Sequence, residues 1–389
     1  MRRICVFTAS RADYGPLLAL IEELHRDQDI DLRLLVSGGH LVDGQGHTVE
    51  VIERDGFPIG GRVDMVLCGD TPTAVAKSFG VGVLGYADAL DRIGPDVLVV
   101  LGDRYEALAV ATVAMLQGRL VAHIAGGQIT EGALDDSLRH AITKLSDLHF
   151  TATPEFRRRV VQLGEAPERV HCVGALGLDS VRTLPLMSRG ELLDDLGLPD
   201  ETRLIAVTYH PATADPDGSD EGLNGLLDAL GEMKTHVAVF TGANVDAGGG
   251  RIARRISRFV ADHADRAVLV PSLGQRRYLS LLNHADVVAG NSSSALVEAP
   301  ALRTPTVNIG SRQDGRPRAP SVIDSGCGAD QIAEALHRAM SEPHRELTNR
   351  STSPFGDGHA AQRIAGILRA VPVGKPRKAF HDVQFEVRG

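Results

Sequence analysis

Several short stretches of the 389-residue chain place charged or hydroxyl side chains directly after apolar runs. The first, TASRADYG (8–15), follows the strand-like ICVFT. The loop leaving a parallel strand opens at the sheet's carboxyl end, and the next helix points its N-terminus there. Arg11 is therefore placed to grip a phosphate or carboxylate with its forked donors. A plain surface arginine fits the local sequence equally well. No GxGxxG follows, so the dinucleotide fingerprint is missing and a nicotinamide or flavin enzyme loses its main support.

In LGDRYEAL (101–108), Asp103 and Arg104 end an apolar run and Glu106 opens a helical one. Acids at a helix start satisfy exposed N–H groups, so capping competes here with a proton-transfer role for Asp103. The stretch AHIAGGQITEGALDDSLRHAITK (122–144) sets two glycines after a strand, where a ligand can approach the backbone, and then a helix bearing Asp135, Asp136, Arg139 and His140. Asp135 and Arg139 are four apart, as are Asp136 and His140, a spacing that suits helix ion pairs as well as a site. Further along, His210 ends LIAVTYH and Pro211 fixes the exit of the chain. GNSSSALVEAP (290–300) leads into a helix with Ser292, Ser293 and Ser294 as hydroxyl donors to a diphosphate. Glu298, one turn on, is suited to a ribose diol, while a serine-rich N-cap accounts for the hydroxyls alone. NIGSRQDGRPRA (308–319) adds Arg312, Arg316 and Arg318.

Positioning such groups takes repeated β-α units. Strand-like runs at 4–8, 31–38, 96–102, 120–127, 147–153 and 170–174 alternate with helical segments at 16–27 and 107–118. A second set at 204–210, 236–242, 267–272, 286–292 and 305–310 follows the charged stretch 188–203, with helices at 221–233 and 277–285. The expectation is an α/β protein with two parallel-sheet, Rossmann-like domains, 1–183 and 184–354, then a helix within 355–371 and a loose tail at 372–389.

Composition narrows the function classes. The chain is 43% hydrophobic and carries a net charge of -9, which argues against a nucleic-acid or anionic-membrane partner. Cys5, Cys68, Cys172 and Cys327 are too scattered for a zinc knuckle or a disulfide framework, so no metal is expected. Cys5 and Cys172, in strand-like runs, read as small buried hydrophobes. The N-terminus reads as a first strand and not a signal peptide, and no run approaches the ~18 apolar residues of a membrane span. A cytoplasmic protein is the expectation.

Taken in order, SRADYG, GDR, HIxGG, DDSLRHAITKLSDLHF, YHP, GNSSSALVEAP and VNIGSRQDGR resemble the UDP-N-acetylglucosamine 2-epimerase family, in its hydrolysing branch from sialic and related nonulosonic acid pathways. The likeness runs over about residues 3–370. It implies two facing Rossmann-like domains in the glycosyltransferase-B arrangement, with a C-terminal helix returning to the first. It also implies hydrolysis of UDP-GlcNAc to UDP and N-acetylmannosamine through a 2-acetamidoglycal, no cofactor, and a homodimer or homotetramer. Arg11, Asp103, Asp135, Arg139, His210, Ser292, Ser293, Glu298 and Arg316 match functional positions of the family; the expectation is that Asp103, Asp135 and His210 are catalytic and that the others, together with Gln275, Ser294 and Arg312, bind the UDP-sugar. Many relatives read HIEGGE where this chain has Ala125, so a glutamate treated as catalytic is absent. Relatives acting on UDP-2,4-diacetamido-2,4,6-trideoxy sugars share that absence and a TEGA-like insertion, here Thr130 to Ala133. Two expectations follow: Glu131 replaces the missing carboxylate, or the sugar is altered at carbon 4 or 6. A non-catalytic UDP-sugar binding protein is the competing class, and a glycosyltransferase or a non-hydrolysing epimerase are lesser alternatives.

Overall fold

The computed structural model describes residues 1–43, 47–67, 71–130, 134–211, 216–242, 249–271, 273–372, 374 and 378–384. The chain divides into two compact units. The first holds β1 (Arg2–Thr8), α1 (Arg11–Arg26), β2 (Ile30–Ser37), α2 (Val49–Asp55), β3 (Ile59–Val63), α3 (Pro72–Ile93), β4 (Val97–Leu101), α4 (Tyr105–Leu116), β5 (Leu120–Ile124), α5 (Leu134–Leu145), β6 (Leu148–Thr151), α6 (Pro154–Gln162), β7 (Val170–Cys172) and most of α7 (Gly177–Thr183). The second holds α8 (Arg189–Leu196), β8 (Leu204–Thr208), α9 (Pro216–Glu232), β9 (Val237–Thr241), α10 (Gly249–Asp262), β10 (Ala267–Val270), α11 (Gly274–His284), β11 (Val287–Gly290), α12 (Ser294–Ala301), β12 (Thr306–Ile309), β13 (Val322–Ser325), α13 (Ala329–Ala339) and α14 (Glu342–Arg350). A last helix, α15 (Ala360–Ala370), belongs to the first unit.

Each unit is a parallel sheet with helices on both faces, a Rossmann-like architecture. In the first sheet the order is β3-β2-β1-β4-β5-β6-β7, and in the second β10-β9-β8-β11-β12-β13. Alternate residues of β1 feed opposite layers: Ile4 and Val6 pack with α1, α2 and α15, while Cys5 and Phe7 pack with α3, α4 and α5. In the second unit Ile205 and Val207 face α9, α10 and α13, whereas Leu204 and Ala206 face α8, α11 and α12. Covering both faces explains why these strands read as unbroken apolar runs. Among the described residues no helix is long and apolar enough to cross a membrane.

α15 is tied to the first unit by Asp179, whose carboxylate accepts from the backbone N–H of Ala360 at 3.0 Å and of Ala361 at 2.9 Å. An acid at a helix N-terminus satisfies donors that have no intrahelical acceptor.

Two expectations are corrected. Cys5 is buried, but Cys172 is exposed, because it ends β7, an edge strand of the first sheet. The tail is not loose where it is described: Lys378 Nζ donates to the carbonyls of Lys144 and Ser146, each at 2.7 Å, and pairs with Glu165 at 2.7 Å. An ammonium at the carboxyl end of α5 answers that helix's unpaired carbonyls. The Phe380 ring lies under Lys144 Nζ, and His381 N donates to Gly164 O at 2.9 Å. The sequence hid this because the contacts depend on two side chains and one backbone N–H, with no period.

Candidate functional site

A doubly wound sheet opens a crevice where neighbouring strands send their connections to opposite faces, at the strands' carboxyl ends. In the first unit that point lies between β1 and β4. The residues there are Ser10–Asp13 after β1 and Gly102–Arg104 after β4. Arg11 is the first residue of α1 and is exposed. The turn before it is held by Asp13, which accepts from Ala9 N at 2.7 Å and from the Ser10 hydroxyl. Burial raises the Asp13 carboxyl above its usual range despite those bonds.

Asp103 is fixed by Arg139 of α5. Arg139 is 1% exposed; its Nε donates to Asp103 Oδ2 at 3.0 Å and its terminal nitrogen pairs with the same carboxylate. The other arm donates to Asp136 at 2.8 Å and to Gln128 O at 3.0 Å. Arg139 thus ties the β4 turn, the start of α5 and the loop after β5 together. His140 meets Asp136 at 3.6 Å, the four-residue spacing read in the sequence. The fork of Arg139, however, reaches Asp136, three residues back, and Asp103. Asp135 sits exposed in the first turn of α5. Glu131 lies outside the described residues.

Glu106 proves to be buried and paired with Arg104, its carboxylate 2.9 Å from the guanidinium. Capping therefore does not exhaust the GDRYE motif: Arg104, the residue before α4, is oriented by Glu106 beside the switch point.

His123 and His40 are two buried imidazoles in this unit that residue spacing did not flag. His123 on β5 donates from Nε2 to Gly102 O at 2.8 Å, with its Nδ1 3.1 Å from Thr143 Oγ1 on α5. It therefore braces the turn bearing Asp103 against the helix bearing Arg139. His40 lies between the hydroxyls of Thr8 and Thr48, at 2.9 and 2.7 Å.

Ala125 follows β5 in the left-handed region, with φ 68°. A side chain there costs about 1–2 kcal/mol relative to the right-handed region, and such backbone clusters at functional loops. Gly127, with φ 78°, has no alternative, since a Cβ would lie 2.3 Å from Phe156 O.

In the second unit the switch point falls between β8 and β11. Gly290 ends β11 with φ 138°, and a Cβ there would lie 2.0 Å from Thr208 O. That close approach brings Asn291 to His210: His210 N donates to Asn291 Oδ1 at 2.8 Å and Asn291 Nδ2 donates to His210 O at 2.8 Å. Arg312 and Gln313 both donate to Asn291 O, at 3.0 and 2.8 Å. Asn291 and Gln313 were not singled out from sequence; a buried amide joining two loops has no periodic signature.

Ser293 is the N-cap of α12 but its hydroxyl makes no capping bond, and Ser292 Oγ is 3.4 Å from Ser294 N. The N–H groups of Ala295 and Leu296 donate to the carbonyls of Ser292 and Ser293, at 3.2 and 3.0 Å, so the triplet closes the first turn of α12 chiefly through its backbone. Glu298 follows within α12, its carboxyl raised by burial. Gln275, second in α11, stands at the carboxyl end of β10. Arg316 donates to Thr130 Oγ1 at 3.3 Å, both in the second unit. Arg318 is taken up by Asp324 at 3.0 Å and by the carbonyls of Gln313 and Arg316, which makes it a loop brace. Among the described residues no three His, Cys, Asp or Glu side chains converge as a metal site.

Burial holds His40 and His210 down to about 4 and His123 to about 3, with nearby arginines adding to the effect. All three are neutral at pH 7, so His210 offers a hydrogen bond and not a positive charge. Their folded values lie below the unfolded value near 6.5, so the unfolded chain binds more protons as pH falls below it. Stability should therefore decline from about pH 6.5 towards 4, by up to about 1.4 kcal/mol per pH unit for each histidine. Urea midpoints at pH 7.5 and 5.0 check this, and equal midpoints would contradict it.

Comparison with known proteins bears on this arrangement. A family model described as UDP-N-acetylglucosamine 2-epimerase matches residues 22–369. The chain is 35% identical over 336 residues to the GDP/UDP-N,N'-diacetylbacillosamine 2-epimerase (hydrolyzing) of Campylobacter jejuni, covering 86% of this chain and 87% of that protein. It is 33% identical over 374 residues to the UDP-N,N'-diacetylbacillosamine 2-epimerase (hydrolyzing) of Legionella pneumophila, covering 96% and 97%. The crystal structure of the UDP-GlcNAc 2-epimerase from Neisseria meningitidis bound to UDP-GlcNAc superposes with a TM-score of 0.79 at 17% identity, over 95% of this chain and 99% of that one, a likeness of fold.

Proposed function

Because the chain belongs to the UDP-N-acetylglucosamine 2-epimerase family, we propose that it is a hydrolysing 2-epimerase of a UDP-2,4-diacetamido-2,4,6-trideoxy sugar, releasing UDP and the free 2-epimer. The observation that carries the sugar assignment is the likeness to two hydrolysing epimerases named for UDP-N,N'-diacetylbacillosamine, together with Ala125 and the TEGA-like stretch. This reverses the order drawn from sequence, where UDP-GlcNAc stood first.

The groups of the second unit take the nucleotide. The start of α12 with Ser292, Ser293 and Ser294, and the arginines Arg312 and Arg316, receive the diphosphate; Glu298 accepts from the ribose diol, and Gln275 lies in the same set of loops. A diphosphate beside His210 raises its affinity for a proton, so the neutral imidazole becomes able to support the departing phosphate. The groups of the first unit, Arg11, Asp103, Asp135 and Arg139, serve the sugar. A carboxylate removes the carbon-2 proton as the bond from carbon 1 to the UDP oxygen breaks, leaving a glycal. Water then gives its hydroxyl to carbon 1 and a proton reaches carbon 2 on the opposite face. Elimination and addition balance with no change in oxidation state. Carbon 2 is weakly acidic, so stabilising the leaving group shares the barrier.

The test is a comparison of kcat/KM for the UDP-linked 2,4-diacetamido-2,4,6-trideoxy sugar and for UDP-GlcNAc. A preference of at least about tenfold for the former is expected, since polar groups built for a 4-acetamido substituent are left unpaired by a 4-hydroxyl. Equal or reversed values would overturn the assignment. Glu131→Gln should lower UDP release by about 10²-fold or more if Glu131 replaces the absent carboxylate; unchanged turnover removes it from proton transfer.

A further inference from the structure

The proposed chemistry leaves unused a tyrosine that stands beside the switch point of the second unit. Tyr278 lies on α11, three residues past Gln275 and so on the same side of that helix. Its ring is half-buried against the layer that holds Ala295 and Ala299 of α12. The hydroxyl is 3.4 Å from Thr208 Oγ1 at the carboxyl end of β8, and Thr208 Oγ1 is 2.8 Å from Thr241 Oγ1 at the end of β9. A phenylalanine would serve that packing equally well. The phenol adds a polar tip, and such a tip, once taken out of water, calls for hydrogen-bonding partners.

Burial raises the Tyr278 phenol above its usual range; the hydroxyls of Ser294, Thr208 and Ser292 work against that rise, and the charge of Glu298 adds to it. Burial also raises the Glu298 carboxyl, which its own backbone N–H and the Ser294 side chain oppose. Ser294 is therefore the neighbour shared by the phenol and the carboxyl. An ionised carboxylate only accepts, so Ser294 gives its hydrogen to Glu298 and its oxygen is left to accept from the phenol.

We infer that Tyr278 is a positioning residue for nucleotide recognition, its hydroxyl orienting Ser294 and Ser294 in turn holding Glu298 towards the ribose diol. The inference rests on the reading that places the nucleotide in the second unit. A serine hydroxyl rotates freely unless its oxygen is also engaged; the phenol engages it, and the carboxylate is then fixed from one side while its other lone pairs face the sugar. The gain falls on the diol and not on the bond that breaks, so it is felt in binding.

Calorimetric titration of the full chain with UDP and with 2′-deoxy-UDP tests this. The wild type should bind UDP about tenfold more tightly than the deoxy analogue, which leaves Glu298 short of a donor. In Tyr278→Phe the affinity for UDP should fall about tenfold while that for 2′-deoxy-UDP stays within about threefold, so the preference for the diol disappears. Ser294→Ala should do the same, and the double variant should be within about twofold of either single one, because two hydroxyls acting in series are lost only once. Turnover should show a KM raised about tenfold with kcat within about threefold. Tyr278→Phe keeps the ring, and circular dichroism confirms that each variant is folded. A Tyr278→Phe protein that keeps the wild-type preference for UDP, or a double variant whose losses add, would overturn the inference and leave the nucleotide reading standing. A wild type that binds neither nucleotide would overturn both.

Discussion

Asp103→Asn should lower kcat for UDP release by about 10²–10⁴-fold, the span lost when a positioned proton-transfer group is removed. The asparagine keeps the shape, and its amide oxygen can still accept from Arg139, so the β4 turn should hold. What it loses is the ability to take a proton. UDP itself makes no demand on that carboxylate, so the dissociation constant for UDP should stay within about threefold, while kcat and kcat/KM fall together. Turnover within threefold of the wild type would remove Asp103 from the chemistry and leave it as a partner of Arg139.

The second large effect falls on stability. Arg139→Met removes a buried guanidinium that serves Asp103, Asp136 and the carbonyl of Gln128. Stripping one partner from a buried ionic cluster costs about 3–5 kcal/mol, because the remaining charges stay unpaired. Both carboxylates keep about a quarter of their side-chain surface in water, 28% for Asp103 and 26% for Asp136, which places the loss near the lower end. At roughly 2–4 °C per kcal/mol for a unit of this size, Tm should fall by about 6–12 °C. Arg139→Lys separates charge from geometry: it should recover part of the stability but little of the activity, since an ammonium cannot hold Asp103 with a planar fork. A melting curve for Arg139→Met that overlays the wild type would contradict the bracing role.

The strands buried on both faces were legible as apolar runs, β1, β4, β8 and β11 among them, because parallel sheets covered by helices leave no polar alternation to blur the signal. β3 and β13 escaped notice for the converse reason. Both lie at sheet edges, and β3 spends two of its five residues on glycine while β13 carries an aspartate and a serine. α3 was also missed: its apolar residues surround the helix instead of forming one stripe, so no 3.6-residue period stands out.

At the site, the residues that touch a strand's carboxyl end were readable from position alone, as with Asp103, His210 and Ser292. Those that act by joining loops were not. Asn291 ties His210 to Arg312 and Gln313, and His123 ties Gly102 to α5; each bond depends on tertiary approach permitted by a neighbouring glycine or a buried hydroxyl. Arg139 shows the middle case. Its helix placement was predictable, but its partners were fixed by the β4 turn, so Asp136 and Asp103 receive the guanidinium where spacing had pointed to Asp135.

Incubating the protein with the UDP-linked 2,4-diacetamido-2,4,6-trideoxy sugar in heavy water, and following both products by proton NMR, addresses the chemistry itself. Elimination to a glycal followed by hydration predicts one UDP for each free sugar, inverted at carbon 2 and carrying solvent deuterium there. A sugar that keeps its original carbon-2 hydrogen, or remains attached to UDP, would contradict it.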